Sequence, residues 1–374
     1  NKQKLPKFTF VGLLKFWFHY LKNSTAEGLQ LLAKEYQLKK HNYHRKTGPR
    51  GPWLHFAHFP TWLRVTNQGA VSEIFFQAAL PKIKRQEKVF TLLRLDFWRG
   101  LPKLFSQYQN FLARADVDFI ENYNQYQDVL ALFNWQAIYF HFRVYFFINQ
   151  LKSKFTFKKI NVTQLITQEL LKDITYPGFY WLLLSHSAFK RFPFNNFDRL
   201  IYRLEFQPFE SSLLLNAKGK CETIGLQHSI MGKNFLNYIF TDGELNSSRV
   251  LIPDKLATTG KKSYQYFVKA GAKKENLKIC GGLRFTPLFK YKNDSLSKQE
   301  LRKKYQIADN TFVIFVPTSQ FLGENLCLLT DLFAVLKKSS LAYKVFIKTN
   351  PNKDYDQFFF DSLHSQIREL PINI

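Results

Sequence analysis

From about residue 155 the chain alternates between short apolar runs and longer segments whose apolar residues recur at helical spacing. The runs "RLIYRLEF" (199–206), "ETIGLQH" (222–228), "YIFTDG" (238–243), "KLATTG" (255–260) and "NLKICGG" (276–282) read as strands. Between them lie a helix opened by Pro208, whose ring suits a first helical turn, and a second helix over 261–270. Apolar strands of this length alternating with helices predict an α/β fold with a mainly parallel sheet. The alternation resumes after a polar stretch at 286–297. There Ser297, with Glu300 three residues on, predicts a capping box. "TFVIFVPTS" (311–319) predicts a buried strand, 325–338 an amphipathic helix and "KVFIKTNP" (344–351) the next strand. This is one βαβ unit of a second Rossmann-like domain. The chain ends at "ELPINI" before the further strands such a domain needs, so the domain is expected to be incomplete.

Upstream the pattern is less regular. Residues 5–40 read as a basic helical segment, with Ser24 and Thr25 placed like caps ahead of Glu27. "KTGPRGP" (46–52) signals a loop, and from 53 the chain turns to short mixed segments. "KVFTLLRLDFW" (88–98) reads as a strand, and 101–115 and 125–151 as helices. The most apolar region, 129–151, is long enough to span a bilayer, but Asn134, Gln136, His141 and Arg143 interrupt it. A central Arg is costly in hydrocarbon, so a buried helix is the expectation. The expected domains are a helical segment over 1–52, an N-terminal Rossmann-like domain with helical insertions over 53–284 and a C-terminal one over 285–374.

The net charge of +26 calls for an anionic partner, whether nucleic acid, anionic lipid or a phosphorylated substrate. No run resembles an RNP motif, a zinc finger or a basic zipper, so nucleic acid is not the expected one. Three scattered cysteines make no disulfide framework and fit a reducing, cytoplasmic setting. The paired histidines of "HNYH" (41–44) and "HFAH" (55–58) lack zinc-site company, and neither metal nor cofactor is expected. Walker A, GxGxxG, GxSxG and HExxH signatures are all absent from the sequence.

In open α/β sheets ligands bind beyond the carboxyl ends of strands. The loops assigned to such ends are Gln227–Gly232, Thr241–Glu244, Gly281–Arg284, Thr318–Gln320 and Lys348–Pro351. His228 stands out as a general base or a donor to phosphate, projecting into a cleft between the two domains. A structural hydrogen bond is the plainer role for a lone strand-end histidine. Thr318 and Ser319 could hold phosphate at a helix start, with Lys348 as a point cation.

Together these residues resemble a family. "YRLEFQPFESSLLLNAKGKCETIGLQHSIMG" is similar to a segment of bacterial surface-polysaccharide glycosyltransferases that reads roughly Y-E-x-Q-x-W-E-x-A-L…G-x-Q-H-S/G. "IPDKLATTGKKSYQYFVKAGAKKENLKICGGLRF" resembles the segment that follows, and "YKVFIKTNPNKDY" resembles the K-P-H-P strand end of that group and of the related Kdo and sialic-acid transferases. Asn350 stands where that group has His, Thr349 replaces a Pro, and Phe209 replaces a Trp.

The resemblance implies a GT-B architecture, with two Rossmann-like domains facing a cleft and no metal. It implies His228 and Glu210 as catalytic, Glu210 either as the acid/base partner or as the residue that orients His228. Glu205, Gln227 and Ser229 would line the acceptor side, and Arg284, Thr318, Ser319, Lys348, Asn350 and Pro351 would bind the donor. The implied activity is sugar transfer from a nucleotide-sugar donor, with a CMP-linked sugar as one option, to a lipid-linked or growing surface polysaccharide. The enzyme would be cytoplasmic and peripheral at an anionic membrane face. Two other readings stay open. One is a CDP-alditol transferase of similar build, the other a non-catalytic basic module that binds nucleic acid or membrane.

Overall fold

The computed structural model describes residues 10–348, apart from 47, 66–70, 77–78, 97–99, 134, 136–137, 140–141, 144–145, 148–154, 158–159, 176, 230–237, 248–249, 287–294 and 320–321. A long helix, α1 (Phe10–Lys40), leads into strand β1 (Gly51–Phe59) and a small antiparallel hairpin of β2 (Leu63–Val65) and β3 (Val71–Glu73). Then come α2 (Ala79–Gln86), β4 (Val89–Leu95), two short helices α3 (Leu101–Gln107) and α4 (Gln109–Leu112), β5 (Val117–Phe119) and α5 (Tyr126–Ala131). A second hairpin, β6 (Thr156–Phe157) with β7 (Ile160–Asn161), precedes α6 (Thr163–Thr175) and α7 (Pro177–Arg191). The sheet continues with β8 (Phe197–Leu204), α8 (Pro208–Ala217), β9 (Glu222–Gln227), β10 (Lys255–Thr258), α9 (Lys261–Lys269) and β11 (Leu277–Ile279).

Seven of these strands form one parallel sheet in the order β11-β10-β9-β8-β1-β4-β5. The α/β fold read from the alternation is therefore present. Side chains alternate between two apolar layers, as a sheet covered on both faces requires. Leu54, Phe56, Phe90, Leu92, Leu200 and Tyr202 face one layer, and Ala57, Phe59, Leu93, Leu95 and Ile201 the other. The alternation also separates the "HFAH" histidines: His55 and His58 are three positions apart on β1 and so face opposite sides. α1 packs on this body, with Leu38 wholly buried in the second layer.

The chain divides at Thr286/Pro287 into two compact units. In the second, α10 (Ser295–Lys304) precedes β12 (Phe312–Pro317), α11 (Leu322–Leu336) and β13 (Tyr343–Lys348). β12 and β13 pair in parallel over a small core of Val316, Leu329, Phe333, Leu336 and Val345.

Several local expectations change. β1 is an interior strand, although its sequence gave no strand signal beyond mixed segments. Ser24 and Thr25 lie inside α1, not at a helix start. α10 begins at Ser295, so Ser297 falls inside it. Segment 101–115 holds two helices broken at Tyr108. Of the helix expected over 125–151, α5 is a continuous described stretch, and much of the remainder lies outside the described residues. Residues 238–243 form no strand, and the loop Thr241–Glu244 is not at a carboxyl end. Instead Gly243 and Leu245 donate backbone N–H groups to Lys269 and Ala270, at the end of a helix that has run back from β10 to the amino edge of the sheet.

Candidate functional site

The strand order fixes where a crevice can open. From β1 the chain moves outward through β4 to β5, and from β8 it moves the other way through β9 and β10 to β11. β1 and β8 are neighbours, so their connections diverge and leave a switch point at their carboxyl ends. Polar side chains gather there from five elements.

Glu205, just past β8, is buried, and its carboxylate is loaded on both oxygens. Ser229 Oγ donates to Oε1 at 2.6 Å and His228 Nε2 lies 3.1 Å from the same atom. Arg203 Nη2 and Gln207 Nε2 each reach Oε2 at 2.9 Å. The Arg203 guanidinium sits under a roof of aromatic faces, 4.0 Å from the Trp62 centroid and 4.9 Å from that of Phe75. Such cation–π contacts hold a cation in place without a second counter-ion.

His228 follows β9. Burial first, then the charges of Arg203 and Arg284, push its imidazole down to about 3, despite the carboxylate beside it. The ring is therefore neutral near pH 7. Both ring nitrogens lie near Ser229 Oγ, Nδ1 at 3.4 Å and Nε2 at 3.1 Å, and that hydroxyl in turn donates to Glu205. The sequence leads one to expect this ring in an open cleft. In the structure its side chain is 8% exposed, because Phe75 from the turn after β3 lies edge-on over it at 4.4 Å.

A second carboxylate–imidazole pair lies across the switch point. His58 Nδ1 is 2.6 Å from Asp96 Oδ1, and Thr61 donates to the other oxygen. The His58 ring stacks on Trp62 at 4.2 Å with 17° between planes. Burial, and then Arg94, bring His58 down to about 4. Burial would raise the Asp96 carboxyl, but its bonds to His58 and Thr61 and the charge of Arg94 outweigh this and hold it below its usual value. Arg94 lies 3.2 Å above the Trp181 ring. Lys34 reaches in from α1, donating to the Leu95 carbonyl at 2.8 Å, with Glu121 3.9 Å away.

Of the two roles expected of Glu210, its contacts suit the positioning one. It is the third residue of α8 and closes a capping box with Gln207. Both of its oxygens accept the Glu205 amide, at 3.0 and 2.9 Å, and one also takes the Gln207 amide at 3.4 Å. It is 1% exposed, and burial pushes it up to about 8. Among the described residues no hydrogen bond joins it to His228. Glu210 thus holds the backbone from which Glu205 reaches His228.

Gln227 is also structural in its contacts. Its amide bridges Ser229 O at 3.0 Å, Ser263 Oγ at 3.1 Å and the Thr259 amide at 3.2 Å, pinning β9 to the end of β10. Gly225 lets β9 pass this close, since a Cβ there would meet Pro253 Cγ at 2.8 Å and Leu204 at 3.1 Å. Arg284 sits on a short turn over Leu283–Phe285, with its guanidinium 4.5 Å from the Phe285 ring and its charge felt at His228.

The first unit therefore brings Glu205, Gln227, His228 and Ser229 together, with Glu210 behind and Arg284 within electrostatic reach. On the second unit, Thr318 donates its amide and hydroxyl to the Lys348 carbonyl at 2.9 and 3.3 Å. The Ser319 amide goes to Asn325 Oδ1 at 2.7 Å and its hydroxyl to Glu324 at 3.1 Å. Lys348 is exposed at the end of β13. Asn350 and Pro351 lie outside the described residues. Among the described residues no group of three or more His, Cys, Asp or Glu could hold a metal ion.

Sequence reasoning missed His58, Arg94, Asp96, Arg203 and the two aromatic covers. A strand ended at Leu95 instead of Trp98 would have marked Asp96 as a strand-end carboxylate.

No protein-family model matches the chain, and no curated protein sequence matches it. Among solved structures the chain is similar to UDP-GlcNAc 2-epimerase from Neisseria meningitidis bound to UDP-GlcNAc, at 10% identity and a TM-score of 0.42 over 86% of this chain and 71% of that one. It is similar to HepE of Anabaena in complex with UDP and glucose, at 12% identity and a TM-score of 0.39 over 86% and 68%. A glycosyltransferase from Rickettsia africae gives 12% identity and 0.38 over 86% and 67%. The parallel α/β fold stands on this chain's own strand order.

Proposed function

We propose that the chain is a glycosyltransferase that moves a sugar from a nucleotide-sugar donor to a lipid-linked or growing polysaccharide acceptor. The observation that carries this reading is the Glu205–His228 pair at the switch point, with Arg203 and Arg284 beside it. In the reaction an acceptor hydroxyl attacks the anomeric carbon of the donor sugar. The bond from that carbon to the donor phosphate oxygen breaks, and its electron pair leaves with the phosphate. The hydroxyl proton goes to the unprotonated ring nitrogen of His228, and the Glu205 carboxylate, 3.1 Å from Nε2, steadies the imidazolium that forms.

At a pKa of about 3 the imidazole is a poor base in the resting chain. Two guanidiniums contribute to that depression after burial. A donor phosphate beside Arg284 offsets its charge, so donor binding raises the basicity of His228 when a proton must be taken. Arg284 would then stabilise the leaving phosphate in a preorganised way. Phe75 would swing off the imidazole to admit the acceptor. Thr318, Ser319, Lys348, Asn350 and Pro351 remain donor-binding candidates on the second unit. The net charge of +26 suits peripheral residence at an anionic cytoplasmic membrane face.

The test is a thermal-shift screen with UDP-, GDP- and CMP-linked sugars and CDP-glycerol, followed by transfer assays on His228→Ala. A nucleotide sugar that stabilises the protein, and transfer that disappears in the variant with its melting profile kept, is the expected result. Stabilisation by CDP-glycerol alone would assign alditol-phosphate transfer instead. Salt-sensitive nucleic-acid binding with no nucleotide response would overturn the enzyme reading.

A further inference from the structure

The other end of the same sheet carries charges that this chemistry does not use. A cavity of about 610 Å³ opens at the amino ends of β1, β4 and β5. The nine-residue β1 spans about 30 Å, so this cavity and the switch point lie at opposite ends of the sheet. Its walls come from three segments: Lys46 and Gly48–Arg50 before β1, Lys84–Lys88 from the end of α2 to the start of β4, and Arg114–Asp116 before β5. Six cations line it, namely Lys46, Arg50, Lys84, Arg85, Lys88 and Arg114, against the carboxylates of Glu87 and Asp116.

Both carboxylates already have partners. Arg114 grips Asp116 with two bonds of 2.8 and 2.5 Å, and Glu87 faces Arg199 at 3.8 Å. Among the described residues no carboxylate lies within ion-pair distance of the other five cations. The carboxyl end of α2 offers partial negative charge to Lys84 and Arg85 only. Lys46, Arg50 and Lys88 have no such compensation. The Lys84 ammonium is held below its usual range, first by desolvation and then by the charge of Arg114, with Asp116 acting in the other direction. The walls are set before any ligand arrives. The Lys46 amide donates to Asp118 Oδ2 at 3.0 Å, and the Pro49 carbonyl accepts from Asn196 at 3.1 Å. These cations converge on one concavity of ligand size, not on a line that could follow a polymer backbone.

We propose that this cavity binds a diphosphate group, carried by a small soluble molecule or by a lipid headgroup. A single carboxylate leaves most of the charge unmatched. A diphosphate brings several negative charges and many acceptor oxygens, which suits mixed Arg and Lys donors. Its distance from the switch point makes it a second site, separate from donor binding.

The experiment is titration calorimetry of the full chain with inorganic diphosphate, alongside flotation with phosphatidylcholine vesicles carrying diacylglycerol diphosphate. It compares the wild type with the exposed double variant Arg50→Gln/Lys88→Gln, each with and without Arg284→Gln at the other edge. Diphosphate affinity should fall about tenfold or more for each cation removed from the cavity, and should weaken with added salt. The loss caused by the double variant should be the same with or without Arg284→Gln. Vesicle binding that falls in the double variant assigns the group to a lipid headgroup, and diphosphate binding without vesicle binding assigns it to a soluble ligand. If affinity is unchanged in the double variant, if the loss there vanishes in the Arg284→Gln background, or if neither probe binds, the proposal is overturned. None of these outcomes depends on sugar transfer.

Discussion

The two ends of the seven-stranded sheet use charge in opposite ways. At the carboxyl end the ionic groups are answered by other side chains: Glu205 by Arg203, His228, Ser229 and Gln207, and Asp96 by His58 and Thr61. At the amino end Lys46, Arg50 and Lys88 face a cavity without carboxylates of their own. Matched, dry groups are held in one geometry, which is what chemistry on a substrate needs. Unmatched, wet cations carry little internal strain and keep their attraction for a ligand. The first arrangement should be costly to disturb, the second cheap.

Acid should separate the two ends most sharply. His55, His58 and His228 are held at about 3, 4 and 3 against an ordinary 6.5. The unfolded chain therefore binds protons that the folded one refuses, and stability present above pH 6.5 is lost as pH falls toward 3. Glu73 and Glu210, raised by burial to about 8 from 4.5, act in the other direction, and their contribution is lost as pH rises through 8. Urea unfolding across this range should place the stability maximum near about pH 6 to 6.5. Glu73→Gln should flatten the alkaline limb, and Arg50→Gln/Lys88→Gln should leave the curve in place.

Next in size is catalysis. His228→Ala should reduce transfer by about 10² to 10⁴, the usual worth of a positioned base, while the amino-end double variant retains full turnover. Glu205→Ala leaves the Arg203 guanidinium buried without its counter-charge and should cost about 3–5 kcal/mol in chemical denaturation. Gly225→Ala, forced against Pro253 and Leu204, should cost about 1–3 kcal/mol by the same measurement. Lys88→Gln closes the series at within about 0.5 kcal/mol. A Lys88→Gln cost as large as that of Glu205→Ala would erase the contrast between the two ends.

How far this was legible in the sequence follows the same division. β8, β9, β12 and β13 are apolar runs bounded by polar turns, and they read correctly as strands because local pattern suffices there, although β12 is not the buried strand expected: Phe312, Val313 and Phe315 are exposed. β1 did not. "GPWLHFAHF" opens with Gly-Pro and carries two histidines, and only pairing with β8, far along the chain, makes it an interior strand. His228, Ser229 and Glu205 stood out because each follows a recognisable strand. The His58–Asp96 pair did not, since it exists only once β1 and β4 lie side by side. Glu210 was visible as an acid near the site, but a capping carboxylate and a reacting one share the same letter. The segment 238–243 has strand composition but no strand partner, because its neighbour is the end of α9.

The position of Trp62 has a practical consequence. Its indole lies between the Arg203 guanidinium and the His58 ring, with Phe75 edge-on at 5.5 Å. A fluorophore wedged among these groups is a built-in optical gauge. In a variant that keeps Trp62 and replaces the other five tryptophans, its emission colour and lifetime should register occupancy of the carboxyl edge, and should stay silent when only the far cavity fills.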